Sequence, residues 1–270
     1  MKNESGRELR VIGVKTPLYS QNQNLIDFLV EHLPPPLIIE GVIIAITSKI
    51  VSLSEGRTVQ RREAEGSTAA RAEKRALIEM ESDTFLSETL HQVCLTVKHG
   101  ILIPSAGIDE SNARDQEYIL FPANPYQSAE RIGLALRSHF QLKNLGIILT
   151  DSHTTPLRNG VTGIGLAHFG FQAVRNLKGK PDLYGREMKM TQVNVLDALA
   201  AAAVYEMGET DDSKPLAVIQ ANAIEFTDKS SGSEIHILLE HDLYGHLLVL
   251  AAAQEHQSTG LLSGNPPRSG

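Results

Sequence analysis

Three acidic residues stand where strands or helices are predicted to end. Asp109 lies in the segment GIDESN, Asp151 follows the apolar run GIILT, and Glu209 follows an alanine-rich helix. Loops on a rigid scaffold concentrate functional residues, and Mg²⁺ or Mn²⁺ takes one or two carboxylates together with phosphate oxygens and water. The alternative for each acid is a turn or capping role, in which the carboxylate accepts hydrogen bonds from its own backbone.

Two basic residues could bind an anion. Arg158 lies among glycines and small hydroxyl residues in TDSHTTPLRNGVTGIG, residues 150–165. A guanidinium there can bind a phosphate or carboxylate through two hydrogen bonds, and glycines let backbone N–H groups approach the same anion. Lys49 follows the apolar run VIIAIT, at the end of a strand where ligands commonly bind in α/β sheets. Both are candidate catalytic residues, and the alternative for each is an exposed surface position.

Composition excludes several classes of protein. A net charge of −7 argues against a general nucleic-acid binder. Cys94 is the sole cysteine in the sequence, which precludes an intrachain disulfide and a cysteine metal cluster and fits a reducing cytosol. The apolar runs are too short to cross a membrane, and the start MKNESGRELR does not resemble a signal peptide. We therefore expect a cytoplasmic protein without nucleic-acid or membrane partners.

Strand-like and helix-like segments alternate along the chain, which predicts an α/β fold (mixed α+β). The predicted strands are residues 11–14, 42–47, 100–104, 118–121, 146–150, 216–220 and 235–239. The predicted helices are residues 24–32, 67–80, 85–97, 125–139 and 191–207. Within the last helix, Asp197 shares a face with apolar residues, so we interpret it as structural. His153 and His168 lack metal-type spacing, and we interpret them in the same way.

Seven segments of the chain together form a recognisable series. They read VKTPL, ITSKIVSLSEGR, AGIDESNA, LFPANPYQSA, TDSHTTPLRNGVTGIGLAHFGF, DLYGREMKMTQVNVLDALAAAAVYEMGE and KPLAVI, and they extend over roughly residues 11–220. In sequence and in order they resemble the GTP-dependent coenzyme F-420:L-glutamate ligases, and more closely a bacterial branch labelled folate-metabolism gamma-glutamate ligases.

The resemblance implies a homodimer with a two-part, intertwined α/β fold. It assigns residues 1–220 to the γ-glutamyl ligase domain, with residues 221–254 as an extension packed on it. The composition of the end of the chain, QSTGLLSGNPPRSG, separately predicts a disordered tail at residues 255–270. It also implies GTP as a substrate, Mg²⁺ or Mn²⁺ as a cofactor, and a monovalent cation. The other substrates would be L-glutamate and a carboxylate-bearing acceptor of the deazaflavin or folate type.

The same resemblance assigns roles to individual residues. GTP contacts are expected at Gly13, Val14, Lys15, Thr16, Ser48, Lys49, Asn112, Met207, Gly208, Glu209 and Lys214. Metal ligands are expected at Asp109 and Asp151, with Ser152 and Glu209 near a second ion.

One motif departs from the family. The better-known ligases read Asp-Thr-x-Gly-Arg-Pro-x-Arg, whereas this chain reads DSHTTPLR from Asp151 to Arg158. Ser152 keeps a hydroxyl group, but one arginine is missing and His153 is new. We therefore expect metal and phosphate binding to be retained and the acceptor to differ.

The predicted reaction is the GTP- and metal-dependent formation of an amide between an acceptor carboxylate and L-glutamate. The carboxylate would be activated as an acyl phosphate, with metal ions offsetting charge on the phosphate oxygens. One alternative is a nucleotide-dependent kinase or phosphatase acting on a small acid. Another is a non-catalytic relative that binds a nucleotide or a metabolite.

Overall fold

The computed structural model describes residues 8–21, 23–89, 91–111, 116–228 and 231–250. The chain divides into two compact units. The larger unit contains the residues up to Val59 together with Ile119–Ile235. The smaller unit contains Gln60–Tyr118 and the residues from His236 onward.

The secondary structure mixes strands and helices throughout. The strands are β1 (Leu9–Val14), β2 (Val42–Thr47), β3 (Thr58–Gln60), β4 (Thr84–Glu88), β5 (Cys94–Lys98), β6 (Ile101–Pro104), β7 (Glu117–Ile119), β8 (Leu145–Thr154), β9 (Val161–Phe169), β10 (Val174–Asn176), β11 (Gln192–Asn194) and β12 (Leu216–Ala221). The helices are α1 (Leu25–His32), α2 (Ser48–Ser54), α3 (Thr68–Glu81), α4 (Pro125–Phe140) and α5 (Val195–Met207), with 3-10 turns at Pro35–Leu37, Ser105–Gly107 and Gly232–Glu234.

A five-stranded sheet in the order β1-β12-β2-β8-β9 forms the core of the larger unit. Strands β2 and β8 are parallel, and the other neighbouring pairs are antiparallel. Residues 42–46 of the central strand β2 are all buried. A continuous apolar run rich in β-branched residues is typical of a strand that is covered on both faces.

Helices cover both faces of this sheet. The alanine-rich helix α5 packs on one face, where Leu196 and Ala200 join Ile148 in a buried cluster. The helix lies so close that a Cβ atom on Gly163 of β9 would stand 2.4 Å from the Ala200 carbonyl oxygen. On the other face α4 contacts β8 and β9, and α1 in turn contacts α4. The predicted mixed α/β class is therefore confirmed.

The smaller unit corrects one predicted helix. Residues 85–97 were expected to be helical, but they contain strands β4 and β5, which form a three-stranded antiparallel sheet with β6. The chain reverses between them at Gln92, whose φ of 61° is incompatible with a continuing helix. The adjacent helix α3 was predicted almost to the residue and begins after Ser67, whose side chain accepts a hydrogen bond from the Ala70 amide.

Two further boundaries and one further predicted strand also need correction. Strand β8 continues to Thr154, so the supposed loop after GIILT is the first arm of a β-hairpin. Helix α5 begins at Val195, because the Asn194 side chain caps it by accepting from the Asp197 amide at 2.9 Å. The predicted strand at 235–239 is wrong, since these residues form no strand. The predicted tail at 255–270 lies outside the described residues, and the domain boundaries remain a prediction.

Candidate active site

Several strands of the larger unit end at the same edge of the sheet. The register pairs Val14 with Leu216, Leu216 with Ile46, and Thr47 with Thr150. At this edge, β1 and β2 end, β12 begins, and β8 continues past the end of β2. The residues that follow each of these strand ends belong to segments assigned to nucleotide or metal by the resemblance.

Hydrogen bonds fasten these segments to one another. The Thr16 amide donates to the Ser213 carbonyl oxygen at 2.9 Å, and the Thr47 amide donates to the Pro215 carbonyl oxygen at 3.0 Å. The described residues assigned to GTP consequently come together at this edge: Gly13, Val14, Lys15, Thr16, Ser48, Lys49, Met207, Gly208, Glu209 and Lys214. Asn112 lies outside the described residues. The roles of these residues in binding remain predictions.

Gly13 has a packing role that sequence reasoning missed. A Cβ atom at this position would lie 2.6 Å from the Glu206 carbonyl oxygen and 2.9 Å from Cδ of Lys214. The end of α5 and the lysine stem therefore occupy the space that a side chain would need. The Lys214 ammonium also donates to the Glu206 carbonyl at 3.4 Å. This contact places a positive charge at the C-terminal end of α5, where it stabilises the negative end of the helix dipole.

Lys49 lies in the first turn of α2 rather than at the end of the preceding strand. The other end of this short helix is held by Glu55, another residue that sequence reasoning missed. Its carboxylate accepts hydrogen bonds from the Ala123 amide at 3.2 Å and from the Ser128 hydroxyl, and it lies 3.8 Å from Arg131. Two of the motifs that carried the resemblance, SLSEGR and LFPANPYQSA, are thus joined through one carboxylate.

Asp151 and Ser152 lie within β8, not in a loop. Side chains alternate along a strand, so these two neighbours point to opposite faces of the sheet. Ser152 pairs with Gly163, on the face that α5 covers. This arrangement suits the assignment of Ser152 to a second ion better than it suits one ion shared with Asp151.

The substituted positions of the altered motif lie at the end of the same hairpin. His153 pairs with Thr162 and is partly buried, and this burial lowers the pKa of its imidazole below the ordinary value, while Asp197 partly opposes the shift. This burial therefore favours the neutral form of the imidazole. Arg158 is exposed in the turn between β8 and β9, where its amide donates to the Thr155 carbonyl at 3.2 Å.

The smaller unit carries Asp109 two residues after a strained turn. Ser105, Ala106 and Gly107 all have left-handed backbone angles, with φ of 54°, 53° and 70°. For each of the two residues other than glycine, this conformation costs about 1–2 kcal/mol. Residues held in such conformations cluster at functional sites, because the surrounding structure must hold them there.

The Asp109 carboxylate is oriented by its own loop. One of its oxygens accepts from the Ser111 amide at 2.6 Å and from the Ser111 hydroxyl at 2.7 Å. The next residue, Glu110, pairs with Lys74 and lies 3.4 Å from Arg61. The alternative of a turn role for Asp109 is therefore present, and these hydrogen bonds orient the carboxylate.

The donor chemistry of the four residues assigned to metal fits a hard divalent cation, since three carboxylates and a hydroxyl supply oxygen ligands. Within the described part of the chain, no group of three or more His, Cys, Asp or Glu side chains is close enough to hold an ion. Phosphate oxygens and water would have to complete the coordination. The metal assignments of Asp109, Asp151, Ser152 and Glu209 remain predictions.

Two residues interpreted as structural have packing roles. Asp197 accepts a hydrogen bond from the Gly165 amide at 3.0 Å and so ties α5 to β9. His168 is fully buried, with Nε2 lying 3.3 Å from the Glu234 carboxylate.

Comparison with known proteins identifies the family. The model of the F420-0:Gamma-glutamyl ligase family matches residues 13–221. The chain belongs to the F420-0:gamma-glutamyl ligase family. The prediction of an enzyme, a ligase that forms carbon–nitrogen bonds, is thereby confirmed, as is the resemblance at the level of this family.

Curated members of this ligase family are similar over most of the chain. The coenzyme F420:L-glutamate ligase of Methanocaldococcus jannaschii is 31% identical over 237 residues, which is 82% of this chain and 90% of the relative. The protein of the same name from Methanococcus maripaludis strain S2 is 30% identical over 247 residues, 88% of this chain and 97% of the relative.

Among the described residues, no helix has the length and apolar character needed to span a membrane.

Proposed function

We propose that this protein is a GTP- and divalent-metal-dependent ligase that joins L-glutamate to a carboxylate-bearing acceptor. The observation that carries the proposal is the convergence, at one edge of the five-stranded sheet, of the segments after β1 and β2, the segment 207–214, and Asp151 of β8. Ligands of open α/β sheets bind outside strand ends in this way. The names of the relatives support the same reaction.

The reaction has two steps that balance without a covalent enzyme intermediate. An oxygen of the acceptor carboxylate attacks the γ-phosphorus of GTP, and GDP leaves. The glutamate amine then attacks the acyl carbon, releasing phosphate and giving up a proton to solvent. Lys49 would hold phosphate oxygens as a point charge, and Arg158 would hold a carboxylate or phosphate through its planar fork.

A divalent cation, when bound, would offset the negative charge on the phosphate oxygens. Asp109 and Asp151 would hold it, with Ser152 and Glu209 near a second divalent ion. The proposed site also includes a monovalent cation. The carboxylate of Asp109 is already oriented by Ser111. Such preorganisation lowers the cost of arranging ligands around the ion.

We place the acceptor in the deazaflavin or folate class. The relatives are named for coenzyme F420, which favours the deazaflavin F420-0. The altered motif at residues 152–155, and the likeness to the bacterial branch labelled for folate metabolism, favour a folate-type acid. Both compounds therefore belong in the same assay.

The test is a direct search for the amide. The full chain is incubated with GTP, Mg²⁺ or Mn²⁺, L-glutamate and either F420-0 or a folate, and the products are analysed by mass spectrometry. We expect one of the acceptors to gain the mass of a glutamyl residue, with equimolar release of GDP and phosphate. A phosphorylated acceptor without an amide would support the kinase alternative, and nucleotide binding without any product would support the non-catalytic one.

We also propose the homodimer implied by the resemblance. A hairpin of the larger unit, formed by β10 and β11 and the residues between them, exposes three large apolar side chains at Leu183, Tyr184 and Met190. Several large apolar side chains exposed on one hairpin favour a protein contact there. Light scattering on the wild type and on the double variant Leu183→Asp, Tyr184→Asp tests the proposal, since only the wild type should have the mass of two chains.

A further inference from the structure

The loop that carries Asp109 is built on a left-handed turn. Ser105, Ala106 and Gly107 adopt positive φ angles in succession, and the turn closes with a 2.9 Å hydrogen bond from the Ile108 amide to the Ser105 carbonyl. Ala106 is buried at the centre of this turn. Since residues other than glycine avoid this conformation, some contact in the smaller unit must stabilise it.

Thr96 of β5 supplies that contact. Its side chain is 0% exposed. Its hydroxyl accepts a hydrogen bond from the Ala106 amide at 2.8 Å and donates one to the Ile103 carbonyl at 2.6 Å. One buried hydroxyl group therefore uses both its donor and an acceptor position to connect β5, β6 and the middle residue of the turn.

The turn determines where the Asp109 carboxylate stands. Only Gly107 and Ile108 separate Ala106 from Asp109, so a change in the backbone angles of the turn would swing the carboxylate. On the far side, the ion pairs of Glu110 with Lys74 and Arg61 hold the loop. The Asp109 backbone is thus fixed from both directions, and the Thr96 hydroxyl provides the buried, uncharged attachment.

We propose that Thr96 is a positioning residue for the divalent cation: its hydroxyl holds the left-handed turn and thereby aims the Asp109 carboxylate at the ion. The inference rests on the proposed role of Asp109 as a metal ligand. It assigns no contact between Thr96 and the metal, GTP or the acceptor. Residues that orient a ligand from behind typically change metal affinity by about 10- to 100-fold when removed.

The matched variants are Thr96→Val, which keeps the shape and removes both hydrogen bonds, and Thr96→Ser, which keeps the hydroxyl. Leu86→Val serves as the control, because it creates a small cavity at a fully buried position of the same unit without deleting a hydrogen bond. Asp109→Asn is measured alongside. Each full-length variant is titrated with Mn²⁺ in the presence of GTP, and free Mn²⁺ is followed by electron paramagnetic resonance.

We expect Thr96→Val to weaken Mn²⁺ binding roughly 10- to 100-fold, while Thr96→Ser and Leu86→Val stay close to the wild type. In the metal-free protein, the Ala106 amide should exchange with solvent faster in Thr96→Val and at the wild-type rate in Thr96→Ser. If Thr96→Val does not fold, Thr96→Cys gives the same comparison, because a thiol is a weaker hydrogen-bonding group of similar size.

Three results would overturn the inference in different ways. Unchanged Mn²⁺ affinity in Thr96→Val, together with a large loss in Asp109→Asn, rejects the positioning role and leaves the proposed function intact. Unchanged Mn²⁺ affinity in Asp109→Asn removes Asp109 from the metal site, and the role of Thr96 falls with it. An equal loss in Leu86→Val and Thr96→Val would reduce the effect to general destabilisation of the smaller unit.

Discussion

Gly13 of β1 and Glu206 of α5 approach so closely that a Cβ atom on the glycine would stand 2.6 Å from the glutamate carbonyl oxygen. The first strand of the chain and the end of its alanine-rich helix therefore meet backbone to backbone at the edge of the sheet. The hydrogen bond from the Thr16 amide to the Ser213 carbonyl, 2.9 Å long, continues the same contact. The proposed nucleotide site depends on this approach.

The first prediction concerns Gly13→Ala. The added methyl group must displace either β1 or the end of α5, because the nearest atom is backbone oxygen and not a flexible side chain. We expect the free energy of unfolding to fall by about 1–3 kcal/mol and GTP affinity to fall with it. Chemical denaturation and calorimetry measure the two effects. Arg10→Ala, an exposed position of the same strand, should change neither, and wild-type values for Gly13→Ala would refute the prediction.

The second prediction is that Lys49→Ala weakens nucleotide binding more than it weakens the fold. A charged contact to phosphate contributes about 1.5–3 kcal/mol, which is roughly a ten- to hundredfold change in affinity. Calorimetric titration with GTP measures the change, and thermal unfolding checks stability. Lys143→Ala removes the same charge from an exposed position near the start of β8 and is the control. Equal GTP affinity in the two variants would return Lys49 to the surface-residue interpretation.

Helix and strand patterns explain which elements could be predicted. The run VIIAIT and the alanine-rich α5 are long or uniform enough to identify from sequence. Residues 85–97 were misread because Leu86, Cys94 and Val97 also fall near helical spacing, and short apolar segments do not distinguish a strand from a helix. The left-handed angle at Gln92, which separates β4 from β5, has no sequence signal of its own.

The site could be predicted only in part, and mainly through the resemblance. Spacing alone drew attention to Asp109, Asp151 and Glu209. It could not show that β12 lies between β1 and β2, because that pairing joins residues some 200 positions apart in sequence (Gly13↔Ala217). For the same reason Glu55 and Thr96 were missed, since each acts through a contact made only after the chain has folded.

The third prediction concerns the two proposed metal-binding carboxylates. Asp109→Asn and Asp151→Asn each remove a negative ligand while preserving side-chain volume, so we expect metal-dependent turnover to be abolished with the fold intact. Glutamyl transfer measured over a Mn²⁺ titration, together with circular dichroism, tests this. Asp27→Asn, an exposed position on α1, is the control. Near-normal activity of both site variants at limiting metal would reject the two-metal proposal.

The fourth prediction concerns the pH dependence of local stability in the segment between β10 and β11, which contains Asp182. The Asp182 carboxylate accepts from the backbone amides of Arg186 and Tyr184 at 2.9 and 2.8 Å and from the Arg186 guanidinium at 3.0 Å. The backbone hydrogen bond from Arg186 is the main cause that lowers the pKa of Asp182 below its ordinary value. A group with a lowered pKa stabilises the fold above its unfolded pKa, and this stabilisation is lost as the pH falls through the folded pKa.

Carbon-13 NMR of the Asp182 carboxyl group should therefore show a midpoint below that of an unfolded aspartate. Arg186→Ala keeps the backbone amide and should retain most of the depression. In Asp182→Asn the exchange protection of the Tyr184 amide should become independent of pH in the acidic range. An ordinary midpoint for Asp182 in the wild type would contradict the structure of the turn.

The fifth prediction concerns the altered motif at the end of β8. We expect Arg158→Ala to impair turnover severely, because the planar fork binds a carboxylate or phosphate through two hydrogen bonds, and Arg158→Lys to restore little of it. Arg71→Ala, an exposed arginine of α3, should leave turnover unchanged. The measurement is kcat/KM with F420-0 and with a folate. Full activity of Arg158→Ala would place the side chain outside the site.

His153→Ala tests whether the same motif selects the acceptor. His153 is partly buried in the hairpin, and this burial lowers the pKa of its imidazole and so favours the neutral form. A neutral imidazole can donate a hydrogen bond to the acceptor substrate or accept one from it. It adds no charge that would attract GTP. We therefore expect the ratio of kcat/KM for the two acceptors to change while GTP affinity stays at the wild-type value. A uniform loss with both acceptors, with weaker GTP binding, would instead assign His153 a general role in holding the hairpin.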